Sequence, residues 1–268
     1  MPAAEQAVGA DRHTAARARR KCGISFCTCG ALDSSSRGRS TAALAVTGSD
    51  VPPSPFVKEL DRIQRALRPA LSEHGFKVRG RTFNRVTDDG LTQVINLQMG
   101  ASDPPGTTYI PGLRENLHGL FTVNLGVYIP EVAELHGGGP AKSWVQEHYC
   151  SIRNRLGPAS GSLKDLWWHA RASPEVIQDV QLLLLSFGLV FLQRFRSRDL
   201  VLSELNGQGK NLEHCSVPRI VCAIILARRG RSDEARKLMS AQALESHNNR
   251  HHPAYVRELA LRMGLGAV

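Results

Sequence analysis

Two stretches of alternating sequence decide the fold of this chain: residues 91–99, LTQVINLQM, and residues 121–129, FTVNLGVYI. In both, the odd-numbered residues form an apolar row, which is broken only at Gln93. Because successive side chains of a strand point to opposite faces, each stretch predicts a strand with one apolar face. The even-numbered polar residues would then lie on the other face, which an antiparallel sheet commonly leaves in water.

Shorter segments extend this sheet on both sides. Residues 76–79 and 81–86 precede it, and Asp88-Asp89-Gly90 predicts a turn, since glycine adopts positive φ without strain. Residues 148–156 are predicted to be the last strand, with Cys150, Ile152 and Leu156 on the apolar face. The pattern therefore predicts an antiparallel meander of four to five strands.

Helical periodicity surrounds the meander. Before it, residues at helical spacing predict a helix that starts at Ser54-Pro55 and ends before Gly75: Phe56, Leu60, Ile63, Leu67 and Leu71. Pro69 is expected to kink this helix or to split off its last turn. After it, Ser173-Pro174 starts a long helix with this apolar side: Val176, Val180, Leu183, Leu184, Phe187 and Phe191. Further helices are predicted at 199–205, 217–229, 232–244 and 253–263.

The predicted class is therefore α+β: an N-terminal helix, the meander and a C-terminal helical bundle. We expect three parts: a disordered extension at 1–53, a sheet domain at 54–170 and a helical part at 171–268 packed on it. The extension is poor in large apolar residues, so it cannot offset its ordering entropy. We interpret it as a start codon assigned too far upstream.

Charge and cysteine content favour a reduced cytoplasmic protein. The net charge of +10 invites anionic partners, including nucleic acid, but Lys and Arg are spread along the chain without long blocks. Residues 1–53 show no convincing secretory signal, and the six cysteines form no disulfide framework. The apolar run at 182–192 is too short to span a bilayer, so we predict a buried core helix and no membrane partner.

Several blocks in this order resemble an uncharacterised bacterial family, domain of unknown function 4304. They are Gly75-Phe76-Lys77, Arg81-Thr82-Phe83, QVINLQ at 93–98, VNLGVY at 123–128, CSIRNRL at 150–156 and Trp167-Trp168. The resemblance covers residues 56–160 well and the helical remainder loosely. It implies one intact bacterial domain but no activity, ligand or catalytic residue. By analogy of context alone, it suggests an immunity-like role.

The polar face of the sheet is the candidate functional surface. Amides there offer both donors and acceptors, and arginine offers a planar fork for a carboxylate or phosphate. One of two adjacent tryptophans is expected to remain accessible beside the arginines. The candidate ligand-binding residues are Asn96, Gln98, Asn124, Arg153, Arg155, Trp167 and Trp168, and Thr82, Asn84, Thr122 and Ser151 share the predicted face. The alternative is that these residues are polar only because they face solvent.

No complete catalytic or metal-binding signature is present. Cys22, Cys27 and Cys29 lack a recognisable fourth zinc ligand, and His148 has no identifiable nucleophile or orienting carboxylate. His247, His251 and His252 are predicted to lie in a surface loop, and the Gly137-Gly138-Gly139 run lacks the spacing of a phosphate-binding loop. We therefore predict no catalytic residue, no metal and no cofactor.

The leading hypothesis is a non-catalytic binding module that holds a protein or small ligand on its polar sheet face. A nucleic-acid-binding accessory protein and an enzyme of unrecognised type acting on an anionic substrate remain the alternatives.

Overall fold

The strands predicted from alternation form one antiparallel sheet. A computed structural model describes residues 54–100, 116–137, 139–206, 212–245 and 251–268. The predicted disorder at 1–53, the Cys22, Cys27 and Cys29 triplet and His247 lie outside these residues.

Five strands lie in chain order across the sheet: β1 (Lys77–Arg79), β2 (Thr82–Val86), β3 (Thr92–Met99), β4 (Leu120–Tyr128) and β5 (Ile152–Arg155). A short β6 (Trp168–His169) pairs with the first residues of β4, beyond the part that β5 occupies. All pairings are antiparallel, so the α+β class and the meander are confirmed.

Helix α1 (Pro55–Glu73) covers the apolar face of the sheet with a buried stripe of leucine and isoleucine: Leu60, Ile63, Leu67 and Leu71. The expected end at Gly75 is confirmed, since this residue has φ +80°. Pro69 does not split off the last turn, because the helix continues through it to Glu73. Ser54 lies at the predicted start but makes no side-chain cap.

The long predicted helix is three segments with continuous helical backbone. They are α4 (Pro174–Leu183), a π-helical segment (Leu184–Gly188) and α5 (Leu189–Gln193), and Ser173 caps the start by accepting a hydrogen bond from the Val176 N–H. The prediction that Phe187 faces the core is wrong: its side chain is 40% exposed. A π turn holds more residues than an α turn, so the helical spacing shifts there and Phe187 turns outward.

This stretch, Pro174–Gln193, is the one helix of the described residues that is long and apolar enough to cross a membrane, judged by length and composition alone. Only 33% of its most apolar window is buried. The predicted core helix is therefore a helix with one buried and one exposed apolar side.

Six further helices follow along the chain, and the last four of them were predicted, whereas α2 and α3 were not. They are α2 (Pro130–Leu135), α3 (Leu156–Ala159), α6 (Arg198–Leu205), α7 (Pro218–Arg228), α8 (Ser232–Glu245) and α9 (His252–Arg262). Asn206 ends α6 in a left-handed conformation (φ 41°), and Gly230 does the same between α7 and α8 (φ 77°). Helix α7 is the most deeply buried, and its residues share one core with the sheet and α1.

Candidate functional site

The polar residues of the four longest strands meet in one row. Thr82, Asn96, Asn124 and Arg155 are consecutive partners across β2, β3, β4 and β5. Arg153 lies opposite Gly126, two residues from Asn124 on the same side of β4. The predicted common face of Asn96, Asn124 and Arg153 is therefore present.

Half of this face is covered by protein and not by water. Residues 141–150, which we call the covering segment, cross it with Val145 at 0% exposure. The Asn84 side chain holds this segment: its Nδ2 donates to the Val145 carbonyl at 2.9 Å and its Oδ1 accepts from the Val145 N–H at 2.8 Å. Thr82 adds a hydrogen bond from Oγ1 to Oε1 of Gln146 at 2.8 Å.

The expectation of a wholly solvated face is thus wrong for this half. Asn84 is 6% exposed, Thr82 2% and Tyr128 1%. Val94, Tyr128, Val145 and Cys150 form a second, smaller apolar cluster between the sheet and the covering segment. Thr122, also expected in water, is fully buried and its Oγ1 has no partner in the described part of the chain.

The predicted last strand is shorter than expected because the covering segment ends within it. A 3-10 turn occupies Glu147–Tyr149, and β5 begins only at Ile152. Cys150 consequently lies over the polar face and not on the apolar one: a Cβ added at Gly126 would be 2.6 Å from its Sγ. Leu156, which was expected to end the strand, starts α3.

The other half of the face is open and forms a cavity of about 260 Å³, which we call the polar cavity. Four predicted site residues line it: Gln98, Asn124, Arg153 and Arg155. Asn124 is 4% exposed and donates from Nδ2 to Oε1 of Gln98 at 2.6 Å, whereas Gln98 itself is exposed. Asn96 lies beside the cavity and donates to Oγ1 of Thr82 at 2.9 Å.

Both arginines of the cavity already have carboxylate partners. Arg153 binds Glu147 through Nε and Nη2, at 2.5 and 3.1 Å, and this hydrogen bonding raises the pKa of Arg153. Arg155 pairs with Asp165. Glu213 is a third carboxylate in the lining, so two cations and three carboxylates give the cavity a formal charge of −1. The cavity is thus a locally acidic site on a chain of charge +10.

The two tryptophans separate, as adjacent residues of an extended segment should. Trp167 lies beside the cavity with its ring centre 5.6 Å from Cζ of Arg155. Trp168 belongs to β6 and packs on Phe121 of the apolar face, with ring centres 5.7 Å apart. Its Nε1 donates to Asp179 of α4 at 2.7 Å. Trp168 is therefore not part of the polar face.

Sequence reasoning missed the acidic residues of the cavity. Glu147 comes from the 3-10 turn, Asp165 from the loop before β6 and Glu213 from the segment before α7. None of them belongs to an alternating or helical pattern, so no periodic signal marks them.

A second cavity, of about 520 Å³, lies near the β2–β3 turn and is lined by Arg85, Val86, Thr87, Asp88, Asp89, Gln93, Gln193, Arg196 and Ser197.

The other candidate residues do not assemble into a site. His148 lies exposed on the 3-10 turn, with its ring 4.1 Å from that of Tyr149. His252 starts α9 and contacts Gln242. Among the described residues, no group of three or more His, Cys, Asp or Glu side chains is arranged to hold a metal ion.

No protein-family model, curated protein or solved structure matches this chain. The resemblance to domain of unknown function 4304 therefore remains a prediction.

Proposed function

We propose that this protein is a non-catalytic binding module whose polar cavity holds a small group carrying both charges, such as a zwitterion or the tip of a partner protein's polar loop. The observation that carries this proposal is the convergence of Gln98, Asn124, Arg153 and Arg155, from three adjacent strands, on one cavity. A bacterial cytosolic setting, with an immunity-like role, is part of the same proposal.

The lining suits a ligand with mixed polarity. Amide side chains both donate and accept hydrogen bonds, and the paired Arg153 and Glu147 present both signs of charge at one edge. A volume of about 260 Å³ is below the 300–1,000 Å³ or so of drug-sized pockets. The cavity therefore fits a group of side-chain size and not a nucleotide.

The pairing of the arginines disfavours phosphate as the ligand. A phosphate would have to displace Glu147 or Asp165 from its arginine. It would also be repelled by Glu213, the third carboxylate of the lining. Nucleic-acid binding would thus need another surface, and an affinity that falls steeply with salt would be its signature. An enzyme would need at least two titratable groups free to exchange protons, whereas two of the three carboxylates in the lining, Glu147 and Asp165, are each held by an arginine.

A thermal-shift screen of the full chain tests the proposal. Free amino acids, primary amines, carboxylates and phosphate compounds should be compared, and zwitterions are expected to raise the melting temperature. A ligand at 100 times its Kd adds about 2.7 kcal/mol of stability. Gln98→Ala with Glu213→Gln should abolish this rise; because Gln98→Ala also removes the acceptor of the buried Asn124 amide, the rise is measured against the unliganded melting temperature of the variant itself.

The second cavity supplies the matched control. Gln193→Ala with Asp88→Asn removes the same chemical groups there and should leave the ligand-induced rise intact. A preference for phosphate compounds, or equal losses in the two double variants, would refute the polar cavity as the binding site.

A further inference from the structure

A buried glutamine in the apolar row of β3 holds an arginine at the second cavity. Gln93 is fully buried, and its Nε2 donates to the Leu192 carbonyl at 2.7 Å. Its Oε1 accepts from Nε of Arg85, the partner residue on β2, at 2.8 Å and also from Nη2. Arg85 Nη1 donates to the His74 carbonyl at 2.8 Å, and its Cζ lies 4.6 Å from the centre of the Phe76 ring. Uncharged groups alone therefore fix the guanidinium.

Arg85 is a half-buried cation without a counter-ion. No carboxylate of the described residues pairs with it, and burial lowers the pKa of Arg85 because the charged form is desolvated. A glutamate at position 93 would neutralise the guanidinium, whereas Gln93 orients it and leaves its charge uncompensated. The hydrogen bonds to Gln93 and His74 use three of the five N–H groups, so two remain for a ligand.

The other polar groups of the second cavity are mainly donors. Oγ1 of Thr87 accepts from the Leu91 N–H at 3.2 Å, and Oγ of Ser197 accepts from the Leu200 N–H at 3.3 Å. Neither hydroxyl has an acceptor among the described residues, so both can donate to a ligand in the cavity that they line. The exposed Arg196 adds a second guanidinium. A carboxylate only accepts hydrogen bonds, so it complements this set of donors.

The charges around the second cavity sum to zero, which limits the charge of the ligand. Three arginines face three carboxylates in and beside the lining: Arg85, Arg196, Arg198, Asp88, Asp89 and Glu131. Arg198 pairs with both Asp89 and Glu131, and Asp88 is exposed on the turn. Attraction for an anion is therefore local to the N–H groups of Arg85. A phosphate dianion would be repelled by Asp88, whereas a group with one negative charge fits better.

We propose that the second cavity binds a monocarboxylate whose oxygens accept from the planar fork of Arg85. An α-amino acid would bring its ammonium group, one carbon from the carboxylate, against the same guanidinium. The site therefore favours acids without an α-amino group, such as a small organic acid or a peptide C-terminus. The cavity volume of about 520 Å³ suits either source. Gln93 and Arg85 lie on the apolar side of the sheet, so this site is independent of the polar cavity.

Calorimetric titration of the full chain tests the ligand class. Propionate should bind, and propionamide, its neutral counterpart, should not. N-acetyl-dialanine and its C-terminal amide make the same comparison for a peptide C-terminus, and binding of either acid but of neither amide supports the site. In the Gln98→Ala with Glu213→Gln protein, whose polar cavity is altered, propionate should bind unchanged and free alanine about tenfold more weakly than propionate. A failure of these titrations leaves the proposal for the polar cavity standing.

Two substitutions test the residues that form the site. Arg85→Lys keeps the positive charge but not the planar fork, so it should raise the Kd for propionate about tenfold. Gln93→Glu supplies a counter-ion from within the protein and should abolish binding. The matched controls are Arg79→Lys and Gln98→Glu, the same changes at exposed residues of β1 and β3, which should bind propionate like the parent. Circular dichroism should show that each variant is folded.

Asp88→Asn tests the site without altering a buried residue. It removes an exposed negative charge from the lining, so it should lower the Kd for propionate about twofold. A higher Kd in this variant, equal heats from propionate and propionamide, or equal losses in the test and control variants would overturn the proposal.

Discussion

Single amide side chains link segments that are far apart in the sequence. Asn84 binds both backbone groups of Val145, and Gln93 accepts from Arg85 and donates to the Leu192 carbonyl at 2.7 Å. Gln93 is fully buried, which explains how a polar residue stands in the apolar row of β3. A buried polar group is costly unless it is paired, so each amide is fixed in place by what it binds.

We expect Asn84→Ala to lower the free energy of unfolding by about 2–3 kcal/mol, because it leaves the Val145 N–H and carbonyl without their partners. Urea unfolding measures this change. Asn116→Ala is the control, since Asn116 is exposed and, within the described residues, bonds only locally to the His118 N–H; its effect should stay within about 0.5 kcal/mol. If the free energy of unfolding falls equally little in both variants, Asn84 does not contact Val145 in solution.

At the scale of elements, the covering segment depends on the absence of a side chain at Gly126. Residues 141–150 approach β4 so closely that an added Cβ at Gly126 would be 2.6 Å from Sγ and 2.8 Å from Cβ of Cys150. These distances are well inside van der Waals contact. The covering segment, and with it one wall of the polar cavity at Glu147, is therefore positioned by a glycine in the middle of a strand.

Gly126→Ala should destabilise the protein by about 1–3 kcal/mol, because the covering segment must move away from the sheet. Cys150→Gly in the same chain should recover part of this loss, since it removes both clashing atoms. A double-mutant cycle by urea unfolding should then give a coupling free energy of about 1 kcal/mol or more. Strictly additive changes in the free energy of unfolding would mean that residues 126 and 150 are not in contact.

At the scale of the whole molecule, two histidines sit where separate elements pack. His136, at the end of α2, bonds the Tyr255 hydroxyl of α9 at 2.6 Å. His214 packs against Phe191 and Phe195, and its Nε2 is buried without a partner in the described residues. Desolvation lowers the pKa of both histidines. His252 and Arg262 lower it further at His136, which is still exposed, and at His214 Arg194 lowers it while Glu204 and Glu213 raise it.

Stability should therefore fall as the pH drops from about 7 to 5. Each histidine has a folded-state pKa below its ordinary 6.5, so the unfolded chain binds more protons in this window. The stability that comes from this pKa difference is fully present above pH 6.5 and is lost as the pH falls through the folded-state pKa. The free energy of unfolding, measured with urea at several pH values, should change less steeply with pH for His136→Gln with His214→Phe than for the parent. An unchanged slope would exclude these histidines as its source.

Local periodicity alone was enough to predict the antiparallel meander, the order of the longer helices and most of their ends, but not the short α2, α3 and β6 or the π-helical segment. The alternation in β3 and β4, the helical spacing in α1 and the left-handed residues Gly75, Asn206 and Gly230 all follow from backbone geometry, which neighbouring residues determine. The common face of Asn96, Asn124 and Arg153 was predictable for the same reason, since side chains alternate along every strand.

Only the tertiary structure decided which polar residues meet water and which bind protein. Asn84 and Gln98 look alike in the alternation, but one is buried under Val145, 61 residues away, and the other is exposed at the polar cavity. The carboxylates of Glu147, Asp165 and Glu213 converge there from three separate segments. Burial and charge pairing depend on contacts between residues distant in the chain, and no local pattern encodes those contacts.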